Sequence, residues 1–264
     1  MTDFSKVSFG VVGALDRAFI RELAPRIEAA GFRSLWLNDS PDGDSLEGLA
    51  VAAEVTSTLK LATGVIPLDR RPASAIAESL RTLQLPADRL VLGIGTGMPK
   101  GGLQRVSDAI DELREVTMAS IVVGALGPKI RKLGAEKSDG LLLSWLTPDA
   151  ATEAIADLRR DEAAVGRSGV QGILYTRTSV TPEGLRAMVA EAARYQLIPS
   201  YSANFDRIHA KAIDTTIYEK ESDRLAFRID QYTQSVNEIV LRAITGVNTV
   251  DAYVRVLEVA RGEA

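Results

Sequence analysis

The chain has 264 residues, 46% of them hydrophobic, and a formal net charge of −4; this is close to the roughly 250 residues of a one-domain α/β barrel, enough to bury a large core, and gives no electrostatic reason to expect nucleic acid or a membrane as partner. There is no cysteine and one histidine, His209, which excludes disulfides, thiolate metal sites, cysteine nucleophiles and multi-histidine metal centres, and leaves a serine–histidine–acid triad only His209 to use. No stretch reaches about 18 uninterrupted apolar residues, and Met1–Phe9 lacks the charged-then-apolar pattern of a secretory leader, so a cytoplasmic protein is expected.

Along the chain, short β-rich runs alternate with helical patterns. Val7–Val12 reads as a strand, and Asp16 as the cap of a helix in which Phe19, Ile20, Leu23, Ile27 and Ala30 recur at helical spacing until Gly31. Ser34–Asn38 is the second strand and Leu46–Thr56 the second helix. Leu59–Ile66 is the third strand, and Pro72 opens a helix with Ile76, Leu80 and Leu83 on one face. Arg89–Ile94 is the fourth strand, with Leu103–Val116 behind it, and Ser120–Ala125 the fifth, with Pro128–Lys137 behind it. Gly140–Ser144 is the sixth strand. Thr147-Pro148 then starts a helix running to about Ala164, since proline suits a first helical turn. Gly172–Val180 is the seventh strand, and Thr181-Pro182 repeats the same helix start. Glu238–Ala243 is the eighth strand, and Thr249–Ala260 the last helix.

Eight strand-then-helix units in order predict parallel strands with right-handed crossovers, and hence one (β/α)8 barrel domain over residues 1–264. A doubly wound open sheet is the rival, though it would rarely use eight units without a second domain. Thr181–Asn237 is too long for one helix and is expected to hold extra helices over the barrel mouth.

In a barrel of this kind, ligands bind at the C-terminal ends of the strands. In chain order those ends carry Gly13-Ala14, Asn38-Asp39-Ser40, Gly64-Val65-Ile66-Pro67, Gly95-Thr96-Gly97, Ala125-Leu126-Gly127-Pro128-Lys129 and Ser144-Trp145. Most are small and few are ionisable, which suits a flat aromatic cofactor held by backbone groups better than it suits hydrolysis. The run Gly93-Ile94-Gly95-Thr96-Gly97 lacks the third glycine of a dinucleotide fingerprint and follows the fourth strand, not the first; it reads as a tight strand exit beside a ligand, or as glycines needed for packing alone. Gly127-Pro128-Lys129 is either an ordinary turn or a helix start whose free N–H groups attract phosphate, with Lys129 adding charge. Asp39 is a candidate acid or base, or else a loop tie. Trp36 and Trp145 either line a cofactor cavity or simply pack. His209 reads as a surface residue.

At these strand ends the sequence resembles the luciferase-like monooxygenase superfamily, and within it the branch that uses the deazaflavin coenzyme F420. The resembling runs are Glu28–Phe32 leading into Ser34–Leu37, Leu61–Val65, Pro72–Leu83, Asp88–Gly97, Gly124–Lys129, Ser138–Gly140 and Thr147-Pro148, with a weaker likeness at Tyr195–Tyr201 and Ser222–Leu225. The resemblance implies a luciferase-like barrel that holds a deazaflavin, or alternatively FMN, at the strand C-termini. It implies a bulge after the third strand, often with a non-prolyl cis peptide, at Gly64-Val65, and cofactor phosphate on the backbone at Leu126-Gly127. It also implies a homodimer paired through barrel-flank helices. The candidate cofactor-binding residues are Gly64, Val65, Ile66, Gly95, Thr96, Gly97, Ala125, Leu126, Gly127 and Lys129, and the candidate catalytic residues Asp39 and Ser40.

Two departures limit what carries over. Some deazaflavin dehydrogenases of that branch hold a histidine and a glutamate where this chain has Ser40 and Met98, so their sugar-phosphate chemistry does not transfer. The usual long insertion before the fifth strand is also nearly absent, because Val116 runs almost directly into Ser120. Three readings follow: a deazaflavin-dependent oxidoreductase acting on a small organic substrate, a reduced-FMN monooxygenase, and a degenerate barrel that binds a flavin without catalysis.

Overall fold

A computed structural model describes residues 2–97 and 101–263. Its frame is eight parallel strands: β1 (Val7–Val11), β2 (Ser34–Leu37), β3 (Lys60–Thr63), β4 (Leu90–Gly95), β5 (Ser120–Gly124), β6 (Gly140–Ser144), β7 (Gln171–Ser179) and β8 (Glu238–Ala243). Each pairs with the next, and β8 pairs with β1 through Val7↔Ile239 and Phe9↔Leu241, so the sheet closes on itself. The expected barrel is the observed one, and closure removes the exposed edges that the open-sheet alternative would have kept.

Helices alternate with the strands: α1 (Arg17–Ala29), α2 (Ser45–Val55), α3 (Ala73–Leu83), α4 (Gly102–Arg114), α5 (Pro128–Lys137), α6 (Pro148–Ala164), α7 (Pro182–Gln196), α8 (Pro199–Arg207), α9 (Ser222–Thr233) and α10 (Val250–Arg261). Their starts follow from local chemistry. The Asp16 carboxylate accepts from the Phe19 N–H at 2.7 Å, and the Thr147 and Thr181 hydroxyls accept from Ala150 and Gly184, each followed by a proline whose missing N–H costs nothing in the first turn. The apolar stripe Ile20, Leu23, Ala24 and Ile27 of α1 then faces the sheet. No helix among the described residues is long and apolar enough to cross a membrane.

Two differences from the sequence expectation matter. The third strand does not run unbroken from Leu59 to Ile66: it stops at Thr63, passes a cis peptide at Gly64-Val65, and resumes as a two-residue strand, Ile66–Pro67, paired with β4. The Thr181–Asn237 segment holds α7, α8 and α9 as expected, but also a 3₁₀ turn at Ala212–Thr215 and a short strand, Ile217–Tyr218, that extends the sheet beside the end of β7. The connection from α4 to β5 is as short as the sequence indicates. Met98 lies outside the described residues.

Apolar residues form two nested layers. The outer one, between strands and helices, includes Phe9, Leu35, Leu92, Leu143 and Leu241. The inner one fills the barrel with Trp36, Ala62, Val122, Leu142, Ile173, Tyr175 and Val240, inward-facing residues of six of the eight strands. Burying an aliphatic side chain of this size contributes about 1.5–3 kcal/mol. At the N-terminal level of the barrel the Glu238 carboxylate accepts from Trp36 Nε1 at 2.7 Å and Ser34 Oγ at 3.1 Å, with Arg33 Nε at 3.2 Å. Trp36 is therefore a packing residue of the barrel interior.

Candidate active site

The same inward alternation, carried one step further along each strand, places Asn38, Gly64, Gly93, Gly95, Gly124, Ser144, Arg177 and Arg242 at the mouth. Its two sides are built differently. On the β3–β5 side the residues are glycines, and they make room for Val65. An added Cβ at Gly95 would sit 2.8 Å from Val65 Cγ2, and one at Gly124 3.1 Å from Val65 Cγ1; at Gly93 it would strike the Thr63 carbonyl oxygen at 1.9 Å. The bulge thus pushes one aliphatic side chain into the mouth, and the facing strands give up their own side chains to admit it. Asn38 fixes the bulge from β2: its Nδ2 donates to the Gly64 carbonyl, and its Oδ1 accepts from the Tyr175 hydroxyl at 2.9 Å. Burial pushes the Tyr175 phenol well above its ordinary pKa, so it stays protonated and keeps donating.

On the β6–β8 side the mouth is filled by charged and aromatic side chains. Arg177 and Arg242 are direct neighbours across β7 and β8, and Glu191 reaches in from α7 to accept from both, from Arg177 Nε and from Arg242 at 3.0 Å each. Arg177 also donates to Ser144 Oγ at 2.7 Å. Burial would raise the Glu191 carboxyl, but Arg242 and Arg177 outweigh it and hold it below the usual carboxylate range. Two guanidiniums against one carboxylate leave one net positive charge in this cluster. The Arg177 guanidinium lies 3.7 Å from the centre of the Trp145 ring, a cation–π stack. Tyr195 and Phe205 pack on the same ring with centroids 4.9 and 5.7 Å away. Trp145 itself adopts φ +57°, an uncommon left-handed conformation for a tryptophan, and Asn204 of α8 donates to its carbonyl oxygen at 3.0 Å.

The residues singled out from the sequence are distributed as follows. Gly64, Val65 and Gly95 converge at the mouth as described. Ile66 and Ala125 point into the outer apolar layer, leaving only their backbones for a ligand. Gly97 has φ +66°, and a Cβ there would collide with the Asp69 carboxylate, so glycine is required; Thr96 closes the same turn by donating to the Gly97 carbonyl at 2.9 Å. Leu126 is half-buried, and Lys129 is exposed. At Gly127 the backbone is ordinary, φ −99°, and an added Cβ meets nothing within 4 Å. The fold therefore does not demand glycine at this helix start, and the space beside it is open. Asp39 accepts from the Ser45 hydroxyl at 3.0 Å and pairs with Arg70 and Arg71, so its carboxylate ties the loop after β2 to α2 and to the loop before α3. The Ser40 hydroxyl is screened from solvent and has no hydrogen-bond partner. His209 is exposed, in the turn just after α8.

Tyr175, Arg177, Glu191 and Arg242 were not among the sequence candidates. The signal that marks them is the period-two run Tyr175, Arg177, Ser179 at the C-terminal half of a strand whose other positions are apolar or small, with Arg242 at the same level of the next strand.

The fold is thus a closed parallel (β/α)8 barrel with a bulged third strand and a glycine-faced mouth, like the solved structures of luciferase-like proteins it superposes on. The sequence agrees, since residues 7–118 match the luciferase-like monooxygenase family. The chain is 27% identical over 184 residues to 5,10-methylenetetrahydromethanopterin reductase of Methanolobus tindarius; the match covers 56% of each protein, so the chain aligns with about half the length of that relative. In fold it is similar to the coenzyme F420 dependent tetrahydromethanopterin reductase of Methanopyrus kandleri (TM-score 0.74, 16% identity, 96% of this chain and 98% of that one). It is similar also to an F420-dependent secondary alcohol dehydrogenase in complex with an F420-acetone adduct (0.76, 15%, 98% and 99%). A third neighbour is the oxygenating constituent of 3,6-diketocamphane monooxygenase of Pseudomonas putida, in complex with FMN (0.67, 12%, 98% of each chain).

Proposed function

We propose that the protein is an oxidoreductase that holds the deazaflavin coenzyme F420 with its ring over the Val65 bulge and exchanges a hydride between that ring and a small organic substrate; the alternative is a monooxygenase that holds reduced FMN in the same place. The observation that carries this reading is the mouth itself, where one aliphatic side chain is presented among Gly93, Gly95 and Gly124. A flat ring can lie there against apolar and backbone surface. The open space at Gly127 suits the cofactor's phosphate at the start of α5. Gly64, Val65, Gly95, Thr96, Gly97, Leu126 and Gly127 are the residues we assign to the cofactor, Ile66 and Ala125 acting through their backbones and Lys129 from the rim.

Bound there, such a ring supplies the hydride chemistry, and the chain supplies orientation and electrostatics. Tyr175 and Asn38 hold the bulge in register through two successive hydrogen bonds. Glu191, ionised at neutral pH, fixes Arg177 and Arg242 so that the net positive charge of the cluster faces the mouth, where it stabilises negative charge on a substrate or ring oxygen. Trp145, Tyr195 and Phe205 exclude water from the β6–β7 side. We assign the Ser40 hydroxyl to substrate positioning, and read Asp39 as the residue that sets the Ser40 loop.

Spectroscopic titration with coenzyme F420 and with FMN tests this reading. One of the two is expected to bind, and Gly127→Val is expected to fold normally and to weaken that binding by about tenfold to a hundredfold, the equivalent of one charge-assisted hydrogen bond. Lys129→Ala costs less and depends on salt, because an exposed charge is screened. Binding of neither cofactor by the parent protein would favour a non-catalytic barrel. A homodimer is part of the same proposal, and light scattering at micromolar concentration that returned the 28.4 kDa monomer would reject it.

A further inference from the structure

Arg131 is an anomaly. It lies in the first turns of α5, four residues after Gly127, and a long helical side chain there leans back over the turn that precedes it. Its Nε and one terminal nitrogen are screened from solvent and have no hydrogen-bond partner. Its surroundings do not compensate. The charges that act on it are Arg207, at the end of α8, and Asp157 of α6; burial, and then the repulsion of Arg207, lower its pKa to about 10, against the weaker opposing pull of Asp157. Asp157 is itself paired with Arg160. Arg207 makes one side-chain hydrogen bond, to the neutral Asn204 Oδ1 at 3.1 Å. At neutral pH the Arg131 guanidinium is still charged.

A buried cation without an acceptor destabilises a fold unless something else supplies the acceptor. Most other buried or half-buried arginines of the mouth and barrel have one: Arg177 and Arg242 on Glu191, Arg33 on Glu238, Arg71 on Asp39 and Asp44. The unmet donors of Arg131, a second cation beside it, and a helix start with no capping side chain call for the same kind of ligand, a compact group with more than one negative charge and several acceptor oxygens. Guanidinium forks match phosphate in this respect.

We propose that Arg131 and Arg207 form a phosphate clamp between α5 and α8. This rests on the reading that a phosphate-bearing cofactor occupies the mouth, and extends it from the backbone at Gly127 to two side chains that grip the phosphate from the side. Arg131 supplies the desolvated donors, and Arg207 closes the site from the rim.

Thermal unfolding with sodium phosphate, against sodium chloride of equal ionic strength, tests the clamp without any cofactor. Phosphate is expected to raise the melting temperature of the parent protein saturably. Arg131→Leu is expected to melt higher than the parent in chloride, because a desolvated charge is gone, and to lose the response to phosphate; Arg207→Ala, at an exposed position, folds normally and weakens it. Titration with FMN and riboflavin, which share a ring and differ in the phosphate, identifies the source. FMN is expected to bind the parent at least about tenfold more tightly, and the ratio to fall towards one in Arg131→Leu. An Arg131-dependent phosphate response with equal affinities for the two flavins would assign the clamp to free phosphate. If neither flavin binds, the FMN alternative fails and the F420 titration decides the ring reading, while the phosphate arm still decides the clamp. A parent protein that responds no more to phosphate than to chloride, or an Arg131→Leu variant that keeps the response, overturns the proposal.

Discussion

The two sides of the barrel mouth solve opposite problems with the same strand geometry. On the β3–β5 side the inward positions are Gly64, Gly93, Gly95 and Gly124, and Val65 is the side chain they make room for. On the β6–β8 side they are Ser144, Tyr175, Arg177 and Arg242, roofed by Glu191 and the Trp145 cluster. The first side is shaped by what is missing and leaves room for a flat ligand. The second is packed, hydrogen-bonded and charged, so it fixes positions and sets the local field. The function proposed above uses these two surfaces facing each other, one for a ring and one for a polar substrate.

The largest effect is expected on the packed side. Glu191→Gln removes the one anion between two buried guanidiniums and should destabilise the fold by about 3–5 kcal/mol at pH 7. The carboxyl is held below its ordinary value in the folded state, so its contribution is complete above the unfolded value near 4.5 and fades as the pH falls through the folded one. Urea unfolding at pH 7 and pH 4 should therefore show the gap between parent and variant narrowing at the lower pH. A gap that does not change would mean that Glu191 is not the counter-ion.

On the glycine side the expected costs are smaller and steric. A methyl at position 93 must displace the Thr63 carbonyl, so Gly93→Ala should cost about 1–3 kcal/mol by chemical denaturation. Val65→Ala should cost only about 1 kcal/mol, since the side chain is only half-buried at the mouth, yet it should weaken ring binding, measured with riboflavin so that the phosphate plays no part. If Val65→Ala leaves riboflavin affinity unchanged, the ring does not rest on the bulge.

The same contrast explains what was legible in the sequence. The strand–helix alternation, the Thr147-Pro148 and Thr181-Pro182 helix starts and the strand-end glycines are local signals, because caps, prolines and period-two runs act within a few residues. The bulge at Gly64-Val65 was visible only through family resemblance; by composition Leu59–Ile66 reads as one strand. The packed side was legible only in part, for another reason: the period-two run through Tyr175 and Arg177 marks its strands, but nothing local marks Glu191. Glu191 sits on an ordinary amphipathic helix, and its role depends on α7 folding back over β7 and β8, which no local pattern fixes. Arg131 is similar: in sequence it is one more charge on a surface helix, and only tertiary packing leaves it without an acceptor. Asp39 shows the converse, since a strand-end carboxylate that suggests catalysis turns out to be engaged by Arg70, Arg71 and Ser45.

The division of labour between the two sides is tested most directly by a crystal structure of the protein bound to whichever of coenzyme F420 and FMN it takes. The ring is predicted to lie against Val65, flanked by Gly93, Gly95 and Gly124, with its phosphate between Gly127 and the Arg131 side chain and its open face towards Arg177 and Arg242. A ring stacked on Trp145, or a phosphate held on the Arg177–Arg242 side, would contradict it.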